Sequence, residues 1–185
     1  YKPGASGIVG NSFVAKAVPD GYTLLSTSSQ YTVVAALYKT LPYDAVKDLT
    51  AVSLMSSIGY PLLVHPSVPA KNLQEYLAFA RSKPKGVNFG TAGLGGSPHI
   101  MGEWLHSATN TRATFVHYQG GAPAFTAVIS GEVDVVWGGF AAMNQNIRAG
   151  KVRMIGVSTA QRSKLYPDIP SIAEQGVKGF DVSTW

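Results

Sequence analysis

Residues 90–99 read GTAGLGGSPH, and the chemistry this string serves decides the fold. A phosphate-cradling loop requires G-x-x-x-x-G-K-[ST]; Gly90 to Ser97 meets every position except the lysine, which is Gly96, so the charge that holds the β/γ-phosphates is missing. A dinucleotide fingerprint requires G-x-G-x-x-G, and Gly93 and Gly95 are followed by Pro98 where the third glycine belongs. A nucleophile elbow requires G-x-S-x-G, and here the closing residue is His99. What remains is a glycine-rich loop running into a helix, with Ser97 expected as N-cap and Pro98 at the first helical position, where a missing N–H costs nothing. The unpaired N–H groups of such a helix start hold an anion, and without lysine they suit a singly charged carboxylate better than a polyphosphate.

Outward from this loop the pattern is regular. Asn72 and Glu75 form a capping box for a helix whose face is Leu73, Tyr76, Leu77 and Ala80. Then come strand 87–90, the glycine loop, helix 98–108, strand 113–117, the turn Tyr118-Gln119-Gly120-Gly121, helix 122–129, strand 133–137, Gly138-Gly139, helix 140–149 and strand 152–158. Alternating strands and helices predict an α/β fold with parallel pairing and ligands at the strand carboxyl ends. The N-terminal third reads as a helix over 7–17 capped by Ser6, a turn at Pro19-Asp20-Gly21, and a strand over Tyr22–Leu25 leading to the hydroxyls of Ser28 and Ser29. One or two strands follow within 51–65.

Composition narrows the function. The chain has 185 residues, 45% hydrophobic and 14% charged, with net charge +5 and its 15 Lys and Arg scattered singly; this argues against a nucleic-acid stripe and for a mild attraction of anions. Cysteine is absent, which excludes disulfides and thiolate metal sites. No apolar run reaches the ~18 residues of a membrane span. Tyr1-Lys-Pro-Gly reads as a loop entered midway, the mark of a processed or truncated chain.

On helix 98–108 the apolar face is expected to be Ile100, Met101, Trp104, Leu105 and Ala108, which turns His99, Glu103 and His106 outward. Their spacing permits a metal, but solvated helix faces carry such residues too, and no metal or cofactor is expected. His117 reads as a structural histidine and Asp134 as a buried capper rather than a triad acid. The rival reading is a serine hydrolase using Ser97, His117 and Asp134, weak because a cap serine is poorly placed as a nucleophile.

The segments GASGIVG, PDGYTLLSTSS, LLVHPSVPAKNL, NFGTAGLGGSPHIMGE, HYQGGAPA, SGEVDVVWGGF, IRAGKVRMIGVSTAQR and PDIPSIAEQG together resemble the substrate-binding proteins of tripartite tricarboxylate transporters, the Bug or TctC family, over almost the whole chain. The resemblance implies a periplasmic, non-enzymatic, monomeric binding protein with a two-lobed type II fold that closes on a small carboxylate and presents it to membrane permease subunits. It further implies that lobe one is incomplete, because the first strand with its glycine loop and the final return to lobe one are missing. Residues 1–70 are expected in lobe one and 71–185 in lobe two. Ser28 and Ser29 would contribute from the first lobe, and Thr91, Ala92, Gly93, Ser97, His99, Tyr118, Gln119 and Gly121 from the second. Relatives often carry Asp or Asn at Gly138; the glycine is expected to leave space there for a dicarboxylic or aromatic acid.

Overall fold

The computed structural model describes residues 7–185, which divide into two compact units, 7–57 with 184–185, and 58–183. The sequence put this boundary at 70/71. It falls earlier because Pro61–Val64 is a fully buried strand hydrogen-bonded inside the second unit's sheet.

The first unit holds α1 (Ile8–Ala15) and α2 (Gln30–Leu37). The expected cap Ser6 lies outside the described residues, and α1 is entered through Gly7. The turn after it is real, with the Tyr22 N–H donating to the Asp20 carboxylate at 3.0 Å. The expected strand at 22–25 does not form: the segment has no ladder partner among the described residues, and Tyr22 is 92% exposed. An apolar run becomes a strand only where a neighbour satisfies its backbone. Tyr31 stacks on Tyr43 at 6.2 Å, and the buried Asn11 amide donates to the Tyr43 hydroxyl at 2.9 Å.

The second unit is built on a five-stranded sheet, in the order β4-β3-β5-β2-β6. After the short β1 (Ile58–Gly59) come β2 (Pro61–Val64), α3 (Leu73–Ser82), β3 (Val87–Thr91), α4 (Ser97–Ala108), β4 (Ala113–His117), α5 (Gly121–Ser130), β5 (Val135–Trp137), α6 (Phe140–Arg148) and β6 (Arg153–Val157). The final strand, β7 (Ser183–Thr184), pairs with β1 in a separate ribbon. β3 runs parallel to β4 and β5, as the alternation predicts. β2 departs from it, lying antiparallel to both β5 and β6; with no helix of this unit before it, no crossover dictates its direction.

Side chains alternate across the sheet into two cores. Leu62, Val64, Phe89, Val135 and Trp137 pack beneath α3 and α4. Leu63, Val136 and Val157 pack against α5 and α6 on the other face. The capping box forms: the Asn72 side chain accepts from the Glu75 N–H at 2.9 Å, while the Glu75 carboxylate reaches back to the Lys71 N–H at 2.7 Å. The face of α3 is the expected one, and that of α4 is not. His106 is buried at 3% exposure, whereas Ile100 and Trp104 are 41% and 42% exposed. Gly102 permits the rotation, since a Cβ there would meet the Phe115 ring at 2.7 Å.

Candidate functional site

Because β3, β4 and β5 are parallel neighbours, their following loops, 92–96, 118–120 and 138–139, lie along one edge of the sheet, as expected. Three helices start there, and their N-caps are Gly96, Gly120 and Gly139. None has a side-chain cap or an acidic residue in its first turn. By contrast α3, which follows β2, carries both Asn72 and Glu75. Helix starts ordinarily recruit acids to meet their partial positive charge; those at this edge have not.

The three starts are not equivalent. At α4 the cap is Gly96, not Ser97 as the sequence suggested, so Ser97 and Pro98 are the first two helical residues. The N–H groups of His99 and Ile100 both turn back to the Gly96 carbonyl, at 2.9 and 3.1 Å. That of Gly95 donates to His99 Nδ1 at 3.2 Å. At α5, by contrast, the N–H groups of Gln119, Gly120, Gly121 and Ala122 have no acceptor among the described residues. Gly120 makes this possible with φ 109°, and a Cβ there would meet nothing within 4 Å. At α6 the N–H groups of Gly139, Phe140, Ala141 and Ala142 likewise have no acceptor among the described residues, so anion-binding capacity lies at the starts of α5 and α6 rather than at α4.

Beside the start of α5, on the α4 face, is a row of polar groups. Thr91 pairs in register with His117, and its buried hydroxyl lies 2.7 Å from His117 Nδ1. The His99 ring stands edge-on to that of His117 at 4.8 Å, and its Nε2 is 3.5 Å from Glu103. Burial first, then His117, hold His99 below its ordinary pKa, against the pull of Glu103. The imidazole is thus neutral at pH 7, with Nδ1 as acceptor for the Gly95 N–H.

Several expected ligand groups are committed elsewhere. The Tyr118 phenol donates to Glu132 at 2.7 Å, and its N–H to the Thr91 carbonyl at 2.9 Å; burial and that carboxylate push the phenol up to about 12. Gly138 is buried, its N–H bonded to the Pro61 carbonyl at 3.0 Å. A Cβ there would lie 2.5 Å from Leu63 Cδ1, so its missing side chain makes room for core packing, not for a ligand. The argument for extra ligand bulk falls with it. Ala92 and Gln119 are exposed and Gly93 half-buried at the edge. Ser28 and Ser29 lie in the first unit at the start of α2, where the Ser29 hydroxyl is 2.9 Å from that of Thr184. The sequence missed Gly120, Ala122 and Gly139; the signal for the first two was Gly120-Gly121-Ala122-Pro123, a glycine cap with proline in the first turn.

The hydrolase constellation does not assemble. Asp134 precedes β5 at the opposite end from the loops, level with Asn88, three residues before Thr91 and so about 10 Å away along the strand. Its carboxylate caps the Asn88 N–H at 2.7 Å and pairs with Lys83 at 3.0 Å, which makes it the capper expected. His106 leaves the supposed metal face altogether, its ring nitrogens 3.0 Å from the Tyr76 hydroxyl and 2.7 Å from that of Thr111.

The family model for the tripartite tricarboxylate transporter family receptor, TctC, matches residues 1–185. The chain belongs to this family. Among solved TctC-like structures, Rpa4515 of R. palustris with adipate superposes at TM-score 0.89 with 30% identity, over 100% of this chain and 62% of that one. MatC (Rpa3494) of Rhodopseudomonas palustris with bound malate gives 0.83 at 30% identity, over 98% and 62%. The periplasmic binding protein BugD gives 0.86 at 28%, over 100% and 62%. The fold is therefore that of the TctC binding proteins, which are receptors rather than enzymes. The chain spans about half the length of the curated relatives it matches. Among the described residues no helix is long and apolar enough to cross a membrane.

Proposed function

We propose that this chain captures a small aliphatic dicarboxylate in the periplasm and passes it to the membrane permease subunits of a tripartite tricarboxylate-type transporter, acting as a monomer. One observation carries the reading: three helices begin at one sheet edge with glycine caps and no acid in their first turns. An anion supplies the charge those starts lack, and fixed N–H donors replace the water it gives up. The adipate and malate bound by the two R. palustris proteins support a diacid. Without a lysine at the loop, phosphate is the poorer fit.

Titration calorimetry of the chain with adipate, malate, propionate, aspartate and inorganic phosphate tests this. Saturable binding of a diacid, with aspartate and phosphate at least ten-fold weaker, is the expected result. Preference for phosphate or aspartate overturns the ligand class, and turnover of an ester substrate overturns the receptor reading.

A further inference from the structure

Trp137 ends β5, immediately before the Gly138-Gly139 loop, and is 2% exposed. Its indole Nε1 is the one buried side-chain nitrogen or oxygen among the described residues with no hydrogen-bond partner. Buried polar groups are otherwise paired, and an indole N–H is a donor only, so this position calls for an oxygen acceptor.

Its place is set by register. Gly90 pairs with Val136, and continuing by one residue brings Trp137 level with Thr91, which itself pairs with His117. All three belong to the α4 face, since Phe89, Phe115 and Val135, two residues earlier in their strands, pack in the core beneath that helix. Phe180 stacks on the Trp137 ring at 5.9 Å. The row thus runs His117, Thr91, Trp137 at the carboxyl ends of three adjacent strands. From the β4 end, where the α5 donors begin, to Trp137 is two strand spacings, about 10 Å. A short diacid with one hydrogen bond at each end covers that span.

We propose that the Trp137 indole N–H donates to the second carboxylate of the bound diacid, the first lying at the start of α5; this rests on the receptor function proposed above. The glycine loop over Gly93–Gly96 follows β3 at the same edge; Gly93 and Gly95 have φ 138° and 75°, and a Cβ at Gly93 would approach only the Tyr118 carbonyl, at 3.9 Å. A donor-only group at the far end selects an oxygen acceptor and rejects an ammonium group.

The chain has three tryptophans, Trp104, Trp137 and Trp185, so a ¹⁵N-labelled sample gives three indole resonances, assignable by single Trp→Phe variants. On titration with adipate the Trp137 resonance is expected to shift while that of Trp104 stays. Trp137→Phe loses the N–H and part of the ring; it is expected to weaken adipate binding about ten-fold or more and, because the indole is fully buried, to lower the melting temperature of the ligand-free chain while leaving it folded. A Trp137 resonance that stays fixed while calorimetry reports adipate bound overturns the proposal, as does unchanged affinity in the folded Phe variant. Should Trp137→Phe fail to fold, the parent's resonance decides. Absence of any carboxylate binding by the parent defeats the receptor reading first, and this proposal with it.

Discussion

Ala122 is the second residue of α5, exposed, in a first turn that holds no acid. Replacing it by aspartate places a carboxylate where a helix start normally welcomes one. The fold should gain about 0.3–1 kcal/mol from the helix dipole. The ligand should suffer: a bound carboxylate roughly 6 Å from the new one meets a repulsion of about 0.7 kcal/mol at the dielectric constant of water and about 3 kcal/mol at the effective value near protein surfaces. These bounds correspond to roughly three- to hundred-fold weaker binding. Opposite signs in the two measurements are the signature of a helix start kept free of acid for an anion. Thermal melts of the ligand-free chain and calorimetry with adipate in low salt read them out, and about 1 M salt should restore part of the affinity by screening. Ala122→Asn, of similar size and uncharged, should lose less. Unchanged adipate affinity in the folded Asp variant refutes the reasoning, because no anion at the start of α5 would be indifferent to that charge.

Burial brings the His106 pKa down to about 4, so below its ordinary value near 6.5 the unfolded chain takes up a proton that the folded one refuses. The stability this supports is complete above pH 6.5 and lost as pH falls toward 4, by about 3 kcal/mol; urea melts should show a smaller loss over this range in His106→Gln than in the parent. Gly138→Ala should cost about 1–3 kcal/mol through overpacking against Leu63 and Met143, and equal melting temperatures for parent and variant would return Gly138 to the candidate ligand site. Asp134→Ala should cost about 1 kcal/mol, since Lys83 is part-exposed, and leave adipate affinity unchanged; a loss of affinity there would contradict its place at the far end of the sheet.

The sequence was most legible where one local rule acted alone. Asn72 with Glu75 announced α3, and β4 occupies the expected residues 113–117. The three glycine loops share an edge because parallel strands require it. Misreadings arose where a distant neighbour decides. The direction of β2 depends on β5 and β6, which periodicity within 61–64 cannot report. The face of α4 turned on Gly102, whose value lies in the Phe115 ring it admits. Gly138 reads as space in one dimension and is filled by Leu63 in three. Of the candidate site, the loops were visible but the division of donors among them was not, since it depends on carbonyl directions such as that of Gly96. Nothing in the letters marked the Trp137 N–H as unpaired.

The antiparallel β2 also orders events in time. Leu62 pairs with Trp137 and with Gly156, so the strand enters the chain early and finds its two neighbours only when β5 and β6 exist. Contacts this far apart in sequence slow folding, because loop closure must precede the reward of pairing. During synthesis the wholly apolar Pro61–Val64 therefore waits unpaired while β3 and β4 already have each other. A sheet whose middle closes only when β5 and β6 arrive keeps the nascent chain open until nearly the whole unit has been made.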